Sequence, residues 1–206
     1  MPRPKKPRTK EHYYKSAKAH GYRARSAYKL RQIVQKYKLL KGVDTVVELC
    51  SSPGGWTQVL REMDSGLEII AVDLNRMDPI ERVTFIQGDI LDSGIVDQIK
   101  ATTRGSIDMV ISDCAPKVSG NWDLDVFRQL SLAEGTLDIG MKLLDANGKV
   151  LTKVFQGSGF QEFLQATRKK YRSVKLVKPA ASRQSSAEIY LLAIGPVGQP
   201  NDGIED

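Results

Sequence analysis

Five short runs rich in β-branched residues alternate with stretches of helical spacing between residues 45 and 155. No other feature of the chain restricts its fold as strongly. The runs 45–50 (TVVELC), 68–74 (EIIAVDL), 83–87 (VTFIQ), 107–113 (IDMVISD) and 149–155 (KVLTKVF) read as buried strands. Helices are predicted between them over 56–63, 95–101, 123–144 and 159–171. Two further strands, 174–178 and 188–194, have no helix between them, so an antiparallel pairing is expected. Upstream, Ala27, Leu30, Ile33, Val34 and Tyr37 recur at three- and four-residue steps, which predicts an amphipathic helix from Ser26 onward. The pattern predicts an α/β fold: a Rossmann-like, doubly wound, mostly parallel seven-stranded sheet with the last strand antiparallel.

The 206 residues suit one domain, with 41% hydrophobic and 27% charged side chains. No apolar run approaches the ~20 residues of a membrane span. The two cysteines, Cys50 and Cys114, do not amount to a disulfide framework, and with His12 and His20 they give no zinc-ligand spacing. A cytoplasmic, metal-free, monomeric protein is the expectation. Charge is unevenly spread. Residues 1–41 hold 14 of the 31 Lys and Arg but only one of the 24 Asp and Glu. That asymmetry points to a polyanionic partner. Residues 1–11 read as a mobile basic arm, in which Lys5, Lys6 and Arg8 also suit an import signal or a solvated tail. Residues 196–206 read as an acidic, frayed tail. Arg23, Arg25, Lys29, Arg31 and Lys36 give the first helical region a positive side.

In an open α/β sheet, ligands bind beyond the carboxyl ends of the strands. The first strand runs into Cys50-Ser51-Ser52-Pro53-Gly54-Gly55-Trp56, where the glycines allow close backbone approach to a ligand. This is neither G-x-G-x-x-G nor a Walker A loop, so a pyrophosphate-bearing ligand is disfavoured. Asp73 ends the second strand, placed to accept ribose hydroxyls, and Asp89 follows the third, placed to accept an adenine amino proton. Each carboxylate alone has a plainer role as a helix cap. Trp56 equally suits packing of the first helix on the sheet. Asp113-Cys114-Ala115-Pro116 follows the fourth strand. In the fifth, Lys153 lies on the side of Leu151 and Phe155, which suggests that it faces a pocket. Lysine is seldom buried unless paired, and Asp113 and Glu188 are the candidate partners.

These motifs resemble those of the RrmJ/FtsJ-type ribose 2′-O-methyltransferases. The resemblance rests on PGGW after the first strand, Asp113-x-Ala-Pro-x-x-Ser-Gly, Lys153, and Lys178-Pro-x-x-Ser-Arg with Ser186-x-Glu188-x-Tyr190. Arg23-x-Arg25-Ser-Ala-Tyr-Lys29-Leu completes it, over roughly residues 11 to 195. It implies a class I S-adenosylmethionine-dependent methyltransferase. Lys29, Asp113, Lys153 and Glu188 would form a catalytic Lys-Asp-Lys-Glu tetrad; Gly54, Trp56, Asp73, Asp89 and Asp113 would line the cofactor site. Glu48 stands where aspartate is usual, Ser51-Ser52 where alanines are common, and Cys114 where methionine is frequent. No tetrad member is missing. Lys153 would act as general base or as a fixed cation beside the developing oxyanion, and both roles stay open. The substrate implied is a uridine ribose of large-subunit ribosomal RNA. A tRNA anticodon-loop ribose is the second choice and the mRNA cap the third. A non-catalytic RNA-binding protein is the alternative outside enzymes, and ordinary salt bridges are the alternative role for the tetrad.

Overall fold

A computed structural model of the chain describes residues 21–183 and 185–198. The basic arm predicted over 1–11 and most of the acidic tail predicted over 196–206 lie outside these residues. The seven strands are β1 (Thr45–Leu49), β2 (Glu68–Asp73), β3 (Val83–Gln87), β4 (Ile107–Ser112), β5 (Leu144–Phe155), β6 (Tyr171–Val177) and β7 (Glu188–Pro196). They form one sheet in the order β3-β2-β1-β4-β5-β7-β6. Every pairing from β3 through β5 is parallel, and β7 runs antiparallel to both β5 and β6. The predicted architecture is the one observed. Boundaries move by a few residues; β6 begins three residues earlier than predicted, directly after the helix before it, and β7 takes up Pro196 from the predicted tail.

Helices cover both faces because the central strands are apolar on both. β1 is buried along its whole length. On one face lie α1 (Ala27–Tyr37) and α2 (Gly55–Met63), where Leu30, Ile33, Trp56 and Leu60 pack against Val46, Ile69, Met109 and Tyr190. On the other lie α3 (Ile95–Thr102), α4 (Trp122–Leu143) and α5 (Phe160–Lys170), which cover Val47, Ile70, Val110 and Val150. Burying a side chain such as Leu30 or Leu60 is worth about 1.5–3 kcal/mol, so the two apolar layers fix which face each helix takes. α1 ends at Lys38, whose left-handed backbone (φ 50°) turns the chain back toward β1. Strand order reverses between β1 and β4. The crevice beyond their carboxyl ends is where this topology binds ligands.

The sheet also corrects the reading of the cysteines. Cys50 and Cys114 are bonded to each other, with Cα atoms 5.2 Å apart across 64 residues of sequence. Cys50 directly follows β1 and Cys114 lies two residues past β4, and these two strands are parallel neighbours in matched register. Parallel pairing brings their ends side by side, which spacing in the sequence did not disclose.

Candidate active site

The loop after β1 is held from several sides. Gly54 has φ +104°, and a Cβ there would lie 2.9 Å from Met77 Sδ and 3.0 Å from Arg23 Nη1. At Gly55 a Cβ would come within 2.7 Å of the Ala24 Cβ. The glycines therefore admit the chain's own residues 23–24 and 77–80 against the loop. Arg23 completes the clamp: its guanidinium donates to the carbonyl oxygens of Pro53 (3.3 Å), Asp78 (2.7 Å) and Pro79 (3.2 Å). Arg31 donates to Tyr22 Oη and Glu62. Two arginines of the positive side are thus engaged within the protein. Arg25 instead lines a polar pocket with Lys29, Ser182, Arg183, Ser186 and Glu188.

Asp73 is buried at the tip of β2. Its Oδ2 accepts the Ser52 N–H at 2.9 Å and its Oδ1 the Asn75 N–H at 2.7 Å, so the carboxylate ties the β1 and β2 loops together. Ser51 Oγ beside it is buried and has no hydrogen-bond partner among the described residues. Asp89 is exposed beyond β3, where its Oδ1 accepts the Leu91 N–H at 2.9 Å. Trp56 is engaged in packing. Its ring is 3% exposed, lies 5.7 Å from that of Tyr190, and donates through Nε1 to the Ser26 carbonyl at 3.0 Å. Beneath the loop, Glu48 is fully buried and its Oε2 accepts the Thr57 hydroxyl at 2.6 Å. Burial pushes its carboxyl from 4.5 up to about 8, against the Thr57 hydrogen bond and with help from the nearby Asp113 and Asp73 charges.

Lys29, Asp113, Lys153 and Glu188 come together from four elements. Lys153 Nζ donates to the Asp113 carbonyl at 2.6 Å and to its Oδ1 at 3.2 Å. Lys29 Nζ meets Glu188 Oε1 at 2.5 Å. The partner for Lys153, left open between two carboxylates, is Asp113. Tyr190 links the two pairs: it faces Lys153 across the β5–β7 ladder, donates its hydroxyl to Asp113 Oδ1 at 2.7 Å, and lies under Lys29 Nζ, 6.0 Å from the ring centre. Burial, with the Asp113 and Glu188 charges, raises its phenol well above 10, so it stays a donor. Ser182 Oγ donates to Glu188 at 3.2 Å, and Gln129 Nε2 to the Lys153 carbonyl at 2.8 Å. The sequence assigned no role to Tyr190, Ser182 or Gln129; strand alternation two residues from Glu188 could have flagged Tyr190. Phe155 departs from the expected side. At the last residue of β5 its ring turns to the α4 layer and stacks on Trp122.

Two cations and two carboxylates, interleaved with a protonated phenol, give a site that can hold a hydroxyl and favour its alkoxide. The sequence model of FtsJ-like methyltransferases matches residues 22–196. A protein of Methanothrix thermoacetophila named ribosomal RNA large subunit methyltransferase E is 46% identical over 183 residues, covering 89% of this chain and 71% of that one. A protein of the same name from Methanosphaera stadtmanae is 42% identical, covering 95% and 97%. A crystal structure described as a ribosomal RNA methyltransferase from Plasmodium falciparum superposes with a TM-score of 0.77 at 28% identity, over 86% of this chain and all of that one.

Proposed function

The chain belongs to the FtsJ-like methyltransferase family, and from that premise we propose that it methylates the 2′-hydroxyl of a uridine ribose in large-subunit ribosomal RNA. The observation that carries this reading is the pair of lysine–carboxylate contacts joined through Tyr190, of which Lys29 and Glu188 line a pocket that Arg25 and Arg183 make positive. FtsJ-like methyltransferases take their methyl group from S-adenosylmethionine. The residues beyond β1, β2 and β3 suit its adenosine: the Ser51 hydroxyl has no partner among the described residues, the Asp73 carboxylate faces the β1 loop, and the Asp89 side chain is open to solvent. When bound there, the sulfonium supplies an electrophilic methyl.

The protein's own residues then handle the ribose. A ribose hydroxyl is a weak nucleophile, because its pKa lies far above neutrality. Lys153, fixed by Asp113, either takes the hydroxyl proton or stabilises the charge that builds on oxygen as the proton leaves. Lys29, fixed by Glu188, which in turn accepts the Ser182 hydroxyl, adds a second cation on the pocket side. Tyr190 keeps the Asp113 carboxylate aimed at Lys153. Fixed geometry of this kind removes much of the entropic cost of bringing the two reactants into line.

If Asp73 holds the cofactor's ribose, Asp73→Asn weakens cofactor binding by roughly 1.5–3 kcal/mol, the value of hydrogen bonds to a charged group. Calorimetry showing unchanged affinity would move that contact elsewhere. The substrate is tested by competition. Unmodified large ribosomal subunits, free ribosomal RNA and unmodified tRNA are offered together with labelled S-adenosylmethionine, and the modified nucleotide is identified by mass spectrometry. Label is expected at a uridine of the large subunit; label confined to tRNA refutes the ribosomal assignment.

The localisation follows the substrate. Methylating ribosomal RNA requires access to ribosomes or their precursors, and we place that encounter in the cytoplasm. We propose that the chain works there as a single domain and as a monomer.

A further inference from the structure

Beyond the tetrad, the loop that begins at Asp113 leads to the start of α4 and exposes two large apolar side chains. Trp122, the first residue of α4, is 49% exposed, and Val118 earlier in the loop is 79% exposed. Trp122 is not loosely held. Its ring stacks on that of Phe155, with centroids 5.7 Å apart and planes 16° from parallel. The loop beneath it is fastened: Asp125 accepts both the N–H and the hydroxyl of Ser119 at 2.8 Å, and Asn121 Oδ1 caps the helix through the Leu124 N–H at 3.2 Å. One face of the indole is therefore covered by Phe155, while half the side chain stays in water. Ordering a large aromatic in this way without burying it forgoes apolar stabilisation, and the arrangement leaves a flat apolar surface for another flat group.

Its position says which group. Phe155 ends the strand that carries Lys153, two residues and roughly 7 Å further along, and it stands opposite Glu188 in the ladder. The platform thus continues the rim of the reacting site, on the side of the sheet opposite α1. The pocket on the α1 side, with Arg25 and Arg183, supplies the positive charge for phosphates. Proteins recognise unpaired RNA by this combination, a basic track with an aromatic face on which a base stacks.

We propose that Trp122 is a base-stacking residue that holds an unpaired base of the substrate RNA next to the methylated nucleotide. The inference rests on the RNA 2′-O-methyl transfer proposed above and adds a subsite to it. The occupant is a nucleobase rather than an apolar peptide. The exposed ring is planar and stacked on Phe155, which suits a flat base, whereas the apolar groove that Phe127 and Phe163 line between α4 and α5 is rimmed by Asp123, Glu134 and Glu162 and is not the surface assigned to RNA.

Trp122→Leu and Trp122→Phe test this with two readouts. The first is intrinsic fluorescence. The other tryptophan, Trp56, is buried, so the red-shifted emission belongs to Trp122, and single-stranded oligouridylate is expected to quench it in the wild-type protein. The second is methyl transfer to unmodified large subunits. Trp122→Leu is expected to raise KM for RNA roughly 5- to 150-fold, the loss of one base–aromatic stack, with kcat and the affinity for S-adenosylmethionine unchanged. Trp122→Phe is expected to recover most of that loss, which a merely structural role at the surface would not predict. No quench by oligouridylate, with KM of the leucine variant within twofold of wild type, overturns the stacking role. Quench without any methyl transfer to ribosomal RNA by the wild type instead overturns the function on which it rests, and leaves the stacking surface in place.

Discussion

Replacing Lys153 by alanine is expected to lower methyl transfer by about 10²- to 10⁴-fold, the range for losing a general base or an oxyanion-stabilising cation. The affinity for S-adenosylmethionine should change far less, because the Lys153 ammonium donates to the carbonyl and carboxylate of Asp113 rather than to the β1, β2 or β3 loops. Single-turnover transfer and calorimetry on the same preparation separate the two quantities. Circular dichroism checks the fold, since the variant leaves a largely buried Asp113 carboxylate with Tyr190 as its hydrogen-bond donor. Lys153→Arg then distinguishes the two roles. A guanidinium keeps the charge but does not give up its proton in proteins, so an oxyanion-stabilising cation would be partly replaced and a general base would not. Near-normal turnover in the alanine variant would remove the lysine-centred mechanism altogether.

The second large effect concerns stability. Glu48 is fully buried with its carboxyl raised to about 8, whereas in the unfolded chain it ionises near 4.5. The folded protein therefore holds a proton there that the unfolded chain has released. Stability from this group is complete below about pH 4.5 and is lost as pH rises through about 8. The shift corresponds to something on the order of 4 kcal/mol across that window. Glu48→Gln keeps an acceptor for the Thr57 hydroxyl and cannot ionise. Its unfolding free energy should lack this decline, making it the more stable protein at pH 8 and not at pH 4.5. Urea denaturation at several pH values measures this directly, and parallel profiles for the two proteins would refute it. Glu48 is buried because β1 is buried along its whole length, and its side chain reaches the Thr57 hydroxyl on α2.

Much of this protein was legible along the chain, because its information is periodic or local. Strand runs buried on both faces alternated with amphipathic helices, and that pattern alone implies a parallel, two-sided sheet. Strand ends pointed to the crevice, so Asp73, Asp89 and Asp113 were expected by position to line a cofactor site, and ordered motifs gave the proposed roles of Lys29, Lys153 and Glu188. What the chain alone left undecided depends on distance between residues far apart in sequence. Asp113 rather than Glu188 meets Lys153, because β4 and β5 are adjacent and parallel while Glu188 lies at the start of an antiparallel strand within reach of Lys29 on α1. Arg23, counted on the positive side of the first helical region, is a clamp on three carbonyls, because the turn before α1 passes over the β1 loop. Cys50 and Cys114 meet because β1 and β4 end together. Tyr190 became the link between the two ion pairs only once β7 was laid against β5, since alternation along a strand indicates a face, one that Phe155 at the end of β5 does not keep, but not the neighbour found there.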